Sequence, residues 1–152
     1  MLKKSLNKFL KIDPILIIRQ ILSDRAILIW IADRNREQLL EGKNSEDVKL
    51  SDIGGGYSDY TLQNNTSSIS KTRDKVNLYD TGEFHRSIMA KAGVEDLVEF
   101  DADPIKTDDQ GNDTDLFSEW GKDIIGLNEE NLQELIEIVK DKLIVEIRKQ
   151  IQ

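Results

Sequence analysis

The chain contains no cysteine. Disulfides, thiolate metal sites and cysteine nucleophiles are thereby excluded, and the fold does not depend on the redox state of its surroundings. Imidazole is nearly as scarce, with His85 the only histidine among 152 residues. No serine sits in a nucleophile-elbow pattern either, so the usual nucleophilic constellations are missing. Long apolar runs are also missing. The longest, Ala26 to Ala32, falls far short of the ~20 residues that cross a bilayer as a helix. The first eleven residues have the basic flavour of a signal peptide but no continuous apolar core or small-residue cleavage site, so they read as part of the mature protein. Positive charge is in deficit: the net charge of −8 argues against broad nucleic-acid binding, which needs Lys and Arg to neutralise phosphates.

What is present begins with an uneven distribution of that charge. Residues 1–30 hold six Lys or Arg against two Asp, a net +4, which leaves −12 for residues 31–152. The two parts attract one another, or attract neighbouring copies. At 38 % apolar and 33 % charged, the chain suits one soluble domain with a real core and a well-solvated surface.

Leu2, Leu6, Phe9 and Leu10 recur at helical spacing among Lys3, Lys4, Lys8 and Lys11. Such a basic amphipathic helix packs on its own domain, binds an acidic partner or lies on an anionic membrane surface. Asp13-Pro14 is a helix start, because Asp caps and Pro tolerates the first position. The spacing predicts one long helix from Pro14 to Glu41, stopped by Gly42, although the β-branched run at 27–31 also fits a strand. Lys43 to Asn65 reads as a connector; its Gly54-Gly55-Gly56 lacks the Lys-Ser/Thr that completes a phosphate loop. Residues Asn64 to Lys75 predict a mobile loop or an exposed helix, and Asn65-Thr66-Ser67 matches a glycosylation sequon with nothing to indicate secretion.

The sharpest change of character lies at Val76-Asn77-Leu78-Tyr79-Asp80-Thr81-Gly82-Glu83-Phe84-His85-Arg86-Ser87. Val76 and Leu78 predict a short strand, Asp80-Thr81-Gly82 a turn in which Gly takes a positive φ, and Phe84, Ser87 and Ile88 one turn of helix or a tight corner that leads into a strand. Ser87–Ala92 and Leu97–Asp101 then read as a hairpin turning near Gly93-Val94-Glu95. Residues 103–115 form an acidic loop, whose carboxylates lack the ligand spacing of an EF-hand. Thr114–Gly121 reads as a short helix. Asn128 caps a last helix with Leu132, Leu135, Ile136, Val139, Leu143, Ile147 and Ile151 on one face. The expected architecture is α+β: a long N-terminal helical segment (1–42), a connector (43–75), a small antiparallel sheet in the middle (76–102), the acidic loop (103–115), and C-terminal helices (116–152) ending in an amphipathic one.

Two resemblances follow from these residues. Leu78-Tyr79-Asp80-Thr81-Gly82, with Ile124-Ile125-Gly126 later, is similar to the active-site loop of retroviral-type aspartic proteases. It implies a homodimer in which two Asp80 carboxylates share a proton and activate water, though Glu83 stands where those enzymes have Ala or Ser. The wider order Gln38-Leu39-x-x-Gly42, Tyr57-Ser58 with Thr61, Lys71, Val76 to Phe84 with Ser87, then Gly121-x-x-Ile124-Ile125-Gly126-Leu127 resembles tail-completion or head-tail joining (neck) proteins of tailed bacteriophages. That resemblance implies a non-enzymatic virion subunit, without metal or cofactor. It would assemble in the host cytoplasm as a homo-oligomeric ring between portal and tail and contact other virion proteins. Leu78, Asp80, Thr81, Gly82, Phe84 and Ser87 would then be a structural motif with no catalytic role.

Overall fold

The structure is a computed structural model that describes residues 2–65, 67–94 and 97–152, with backbone alone for residues 2–5. The side chains of Leu2, Lys3 and Lys4, Thr66 of the sequon, and Glu95 in the hairpin turn therefore lie outside the described residues.

Helix α1 (Leu2–Phe9) is followed by α2 (Pro14–Leu22), whose start is set by Asp13: its carboxylate accepts from the Ile15 and Leu16 amides at 3.0 and 3.2 Å. The long helix expected from Pro14 to Glu41 is in fact two. Ser23 turns its hydroxyl onto the Arg19 carbonyl, and Asp24 accepts from the Ala26 amide at 2.8 Å to cap a new helix, α3 (Arg25–Leu40). A Ser-Asp pair thus ends one helix and begins the next within an apolar stretch that shows no Gly or Pro. The Ile-rich run at 27–31 is helix and not strand.

The connector holds two short helices, α4 (Leu50–Gly54) and α5 (Asp59–Gln63), and residues 67–75 are irregular apart from a Thr72 to Lys75 bridge. No strand forms at Val76 to Tyr79. Leu78 sits at φ 54°, a left-handed conformation that breaks an extended course. The expected turn of helix is present as α6 (Glu83–Ser87), and it claims Ser87 from the hairpin, so β1 starts later (Met89–Ala92) and pairs antiparallel with β2 (Val98–Asp101).

The acidic stretch is a second antiparallel hairpin, β3 (Ile105–Thr107) and β4 (Asp113–Asp115). Its carboxylates build the turn: Asp108 accepts from the Gln110 and Asn112 amides at 2.9 and 2.8 Å, and Gly111 supplies φ 83°. Helix α7 (Leu116–Trp120), capped by Asp115, a short 3-10 turn (Lys122–Ile124) and α8 (Glu129–Ile151), capped by Asn128, complete the chain. The fold is α+β, with several helices, two small two-stranded sheets in place of one, and a longer C-terminal helix.

Two apolar clusters form along α3. Leu39, near the end of α3, groups with Leu50, Val76, Phe84, Ile88, Leu116 and Ile124, and Ile27 and Ile31, in its first half, group with Leu22 and Leu135. Each such buried Leu or Ile contributes about 1.5–3 kcal/mol. Between them, α3 presents buried amides to irregular backbone. Asn35 donates to the Ile124 carbonyl at 3.2 Å and accepts from the Gly126 amide at 3.3 Å; Gln38 donates to the Gly126 carbonyl and accepts from the Asn128 amide at 2.8 Å. The start of α8 is therefore clamped to α3 by hydrogen bonds that no sheet or helix ladder could supply. Replacing Gln38 by Leu keeps the volume but strands the Gly126 carbonyl and Asn128 amide. The expected loss is about 2–4 kcal/mol, read as a lower denaturant midpoint at unchanged slope.

Candidate functional site

The corner at residues 76–88 is assembled from long-range hydrogen bonds. Val76 enters the core, and Asn77 beside it is fully buried. The Asn77 side-chain oxygen accepts from the Tyr57 hydroxyl at 3.0 Å and from the Tyr79 amide at 3.0 Å, while the Asn77 amide donates back to the Tyr57 oxygen at 3.2 Å. The Asn77 carbonyl accepts from His85 Nε2 at 2.8 Å, which places the imidazole proton on Nε2. These bonds hold Leu78 at its positive φ. Gly82 (φ 81°) then redirects the chain into α6, and a Cβ there would lie 2.7 Å from the Tyr79 hydroxyl oxygen.

The exit of the corner is gripped from α3. Arg36 donates to the His85 carbonyl at 2.7 Å and the Ile88 carbonyl at 2.6 Å, while Arg86 donates to the Thr81 carbonyl at 3.1 Å. Ser87 accepts from the Asp103 amide at 2.9 Å, tying α6 to the segment between β2 and β3. Among the residues singled out from sequence, Phe84 is buried in the core, Gly82 is buried at the turn, Leu78, Asp80 and Ser87 are half-buried, and Thr81 is exposed. They lie on one bend, and each described contact of theirs holds backbone or packs core, with the exception of Asp80.

Asp80 faces a polar cleft of ≈ 980 Å³ and a smaller one of ≈ 290 Å³ that share Thr61, Lys71, Tyr79 and Lys106. Lys106 of β3 pairs with one carboxylate oxygen at 2.8 Å and Lys71 with the other at 3.4 Å. Lys106, and after it Lys71, hold the Asp80 carboxyl below the usual carboxylate range, against the opposing effect of partial burial. The Lys71 side chain is only 6 % exposed and lies 5.4 Å from the centre of the Tyr57 ring. Within the single chain Asp80 is thus the ionised partner of two ammonium groups. Among the described residues, no group of three or more His, Asp or Glu is placed to hold a metal.

Lys106, Asn77 and Tyr57 were not legible as a group, because only folding brings them to the Asp80 bend. Comparison with protein-family models, with curated proteins and with solved structures gave no match.

Burial pushes the His85 imidazole below its ordinary value; its bond to the Asn77 carbonyl opposes this and the nearby Arg36 cation adds to it. The unfolded chain therefore takes up a proton before the folded one. Stability from neutral His85 is complete above about pH 6.5 and is lost as pH falls through the lower folded value. An NMR titration of this single imidazole should give a midpoint below 6.5; one at or above it would contradict the buried, neutral assignment. Gly82→Ala, which forces a side chain into a left-handed turn, should cost about 1–3 kcal/mol in thermal or denaturant unfolding.

Proposed function

We propose that this chain is a non-enzymatic α+β interaction module, with a basic amphipathic N-terminal helix, that works as a subunit of an assembly. The observation that carries this reading is the amount of apolar helix surface left exposed among the described residues of the single chain. Leu6, Phe9 and Leu10 on and just after α1, Ile15 and Leu16 on α2, and Leu132, Ile136, Ile144 and Val145 on α8 are all exposed. Surface of this kind on helices packed against one another marks a contact site for other proteins. The hydrogen-bonding groups of the central corner, in contrast, hold backbone, apart from Asp80, which pairs with Lys106 and Lys71.

The specific assembly we infer is the neck of a tailed bacteriophage, where the protein serves as a tail-completion or head-tail joining subunit in a ring between portal and tail. What supports it, beyond the resemblance itself, is where the resembling residues sit. Gln38 binds the Gly126 carbonyl, Tyr57 binds Asn77, Lys71 pairs with Asp80, and Phe84, Leu39 and Ile124 share one apolar cluster. A family defined by those positions is defined by the course of its backbone. The aspartic-protease reading is the weaker one, since Asp80 is neutralised by two lysines.

Genetic complementation separates these readings. In a phage carrying this gene, its deletion should leave unjoined heads and tails, and wild-type protein should restore joined particles and be found in them. Asp80→Asn should restore joining as well, whereas the surface variant Leu6→Glu/Leu10→Glu should not. Failure of Asp80→Asn to restore particles, with precursor cleavage blocked, would favour the protease.

A further inference from the structure

An apolar groove of ≈ 520 Å³ runs between α2, α8 and β2, lined by Ile18, Leu22, Leu97, Phe100, Leu132 and Ile136 among others. No described residue of α1 enters it, although α1 packs along the same helix α8. The one charged side chain lining it, among the described residues, is Lys140, whose ammonium is drawn aside to Glu137 at 2.9 Å. Taken together, the elements that form its walls are acidic: β2 carries Glu99 and Asp101 and no base, α8 carries six acids against four bases, and α2 carries Arg19 alone, a net −3. The groove therefore asks for a helix with an apolar face, positive charge and no carboxylates.

The chain itself contains such a helix. Residues 2–11 carry four lysines and no acid. Although α1 rests on α8, Leu6, Phe9 and Leu10 are 55 %, 52 % and 73 % exposed. We propose that α1 of one copy seats Leu6, Phe9 and Leu10 in the α2–α8–β2 groove of a second copy. This deepens the assembly reading above and rests on it. Donor and acceptor surfaces differ, so the contact is head-to-tail and propagates from copy to copy until it closes or extends. Three large side chains bury well under the ~1,600 Å² of a standard stable interface. Each pairwise contact is therefore weak, and assembly depends on concentration.

The test is sedimentation velocity of the full chain over a concentration series, with circular dichroism melts to confirm folding. Wild-type protein should self-associate, and raising salt from about 0.05 to 0.5 M should weaken the association roughly tenfold by screening the opposed charges. Leu132→Glu/Ile136→Glu, which blocks the groove, and Leu6→Glu/Leu10→Glu, which blocks the helix, should each be folded and monomeric. Mixed together they should form a heterodimer and stop there, because one variant retains the helix and the other the groove. A wild-type monomer throughout the series, variants that associate as wild type does, or a mixture that stays monomeric would each overturn the proposal. So would a monomer that co-sediments with phosphatidylserine vesicles, which would assign α1 to a membrane surface. A monomer still found in joined particles removes this contact and leaves the assembly role standing, whereas self-association without any place in particles does the reverse.

Discussion

Helix α3 does the work that a larger sheet does elsewhere: its polar side chains satisfy the backbone of two irregular bends. Arg36 takes the His85 and Ile88 carbonyls at the exit of the Asp80 corner, and Asn35 and Gln38 take the carbonyls and amides between Ile124 and Asn128. With only four strands of three or four residues among the described segments, backbone groups at these bends have few ladder partners. A buried group left unpaired costs about 1–3 kcal/mol, a large share of the 5–15 kcal/mol that separates a typical domain from its unfolded chain. The two apolar clusters supply the drive to collapse. The amides and the guanidinium decide which collapsed arrangement is the folded one.

The same constraint gives the Asp80-Thr81-Gly82 segment its character. Two positive-φ positions, Leu78 and Gly82, bracket Asp80 and turn its carboxylate toward Lys106 and Lys71. The resulting ion pairs link the corner to β3 and to the irregular segment before it, so the acid joins three separate parts of the chain. A carboxylate held ionised between two lysines is suited to fixing geometry.

Much of this was legible locally. The Asp13-Pro14 start, the Asn128 cap, the single turn of helix after Gly82 and the β1–β2 hairpin follow from residue chemistry within a few positions. The division of the long helix at Ser23-Asp24 was also written in the sequence, but the unbroken apolar run around it masked the capping pair. The second hairpin was missed because its acids, read as solvated loop, form the Asp108 turn. Leu78 could not be foreseen: its left-handed backbone is imposed by Asn77, Tyr57 and His85, which meet only in the fold. Asn35 and Gln38 did leave a signal. They continue the stripe of Ile27 and Ile31 along α3, and an amide on a buried helical face implies a backbone partner.

The proposed assembly role asks for a rigid body, and in this chain rigidity must come from the bends because the sheets are small. The most direct measurement is native-state hydrogen exchange at the Gly126 and Asn128 amides. If Asn35 and Gln38 clamp α8 to α3, both amides exchange only through global unfolding, with the same free energy as the buried Ile31 amide of α3. Exchange at those two positions through a low-energy local opening, while Ile31 stays protected, would contradict the account.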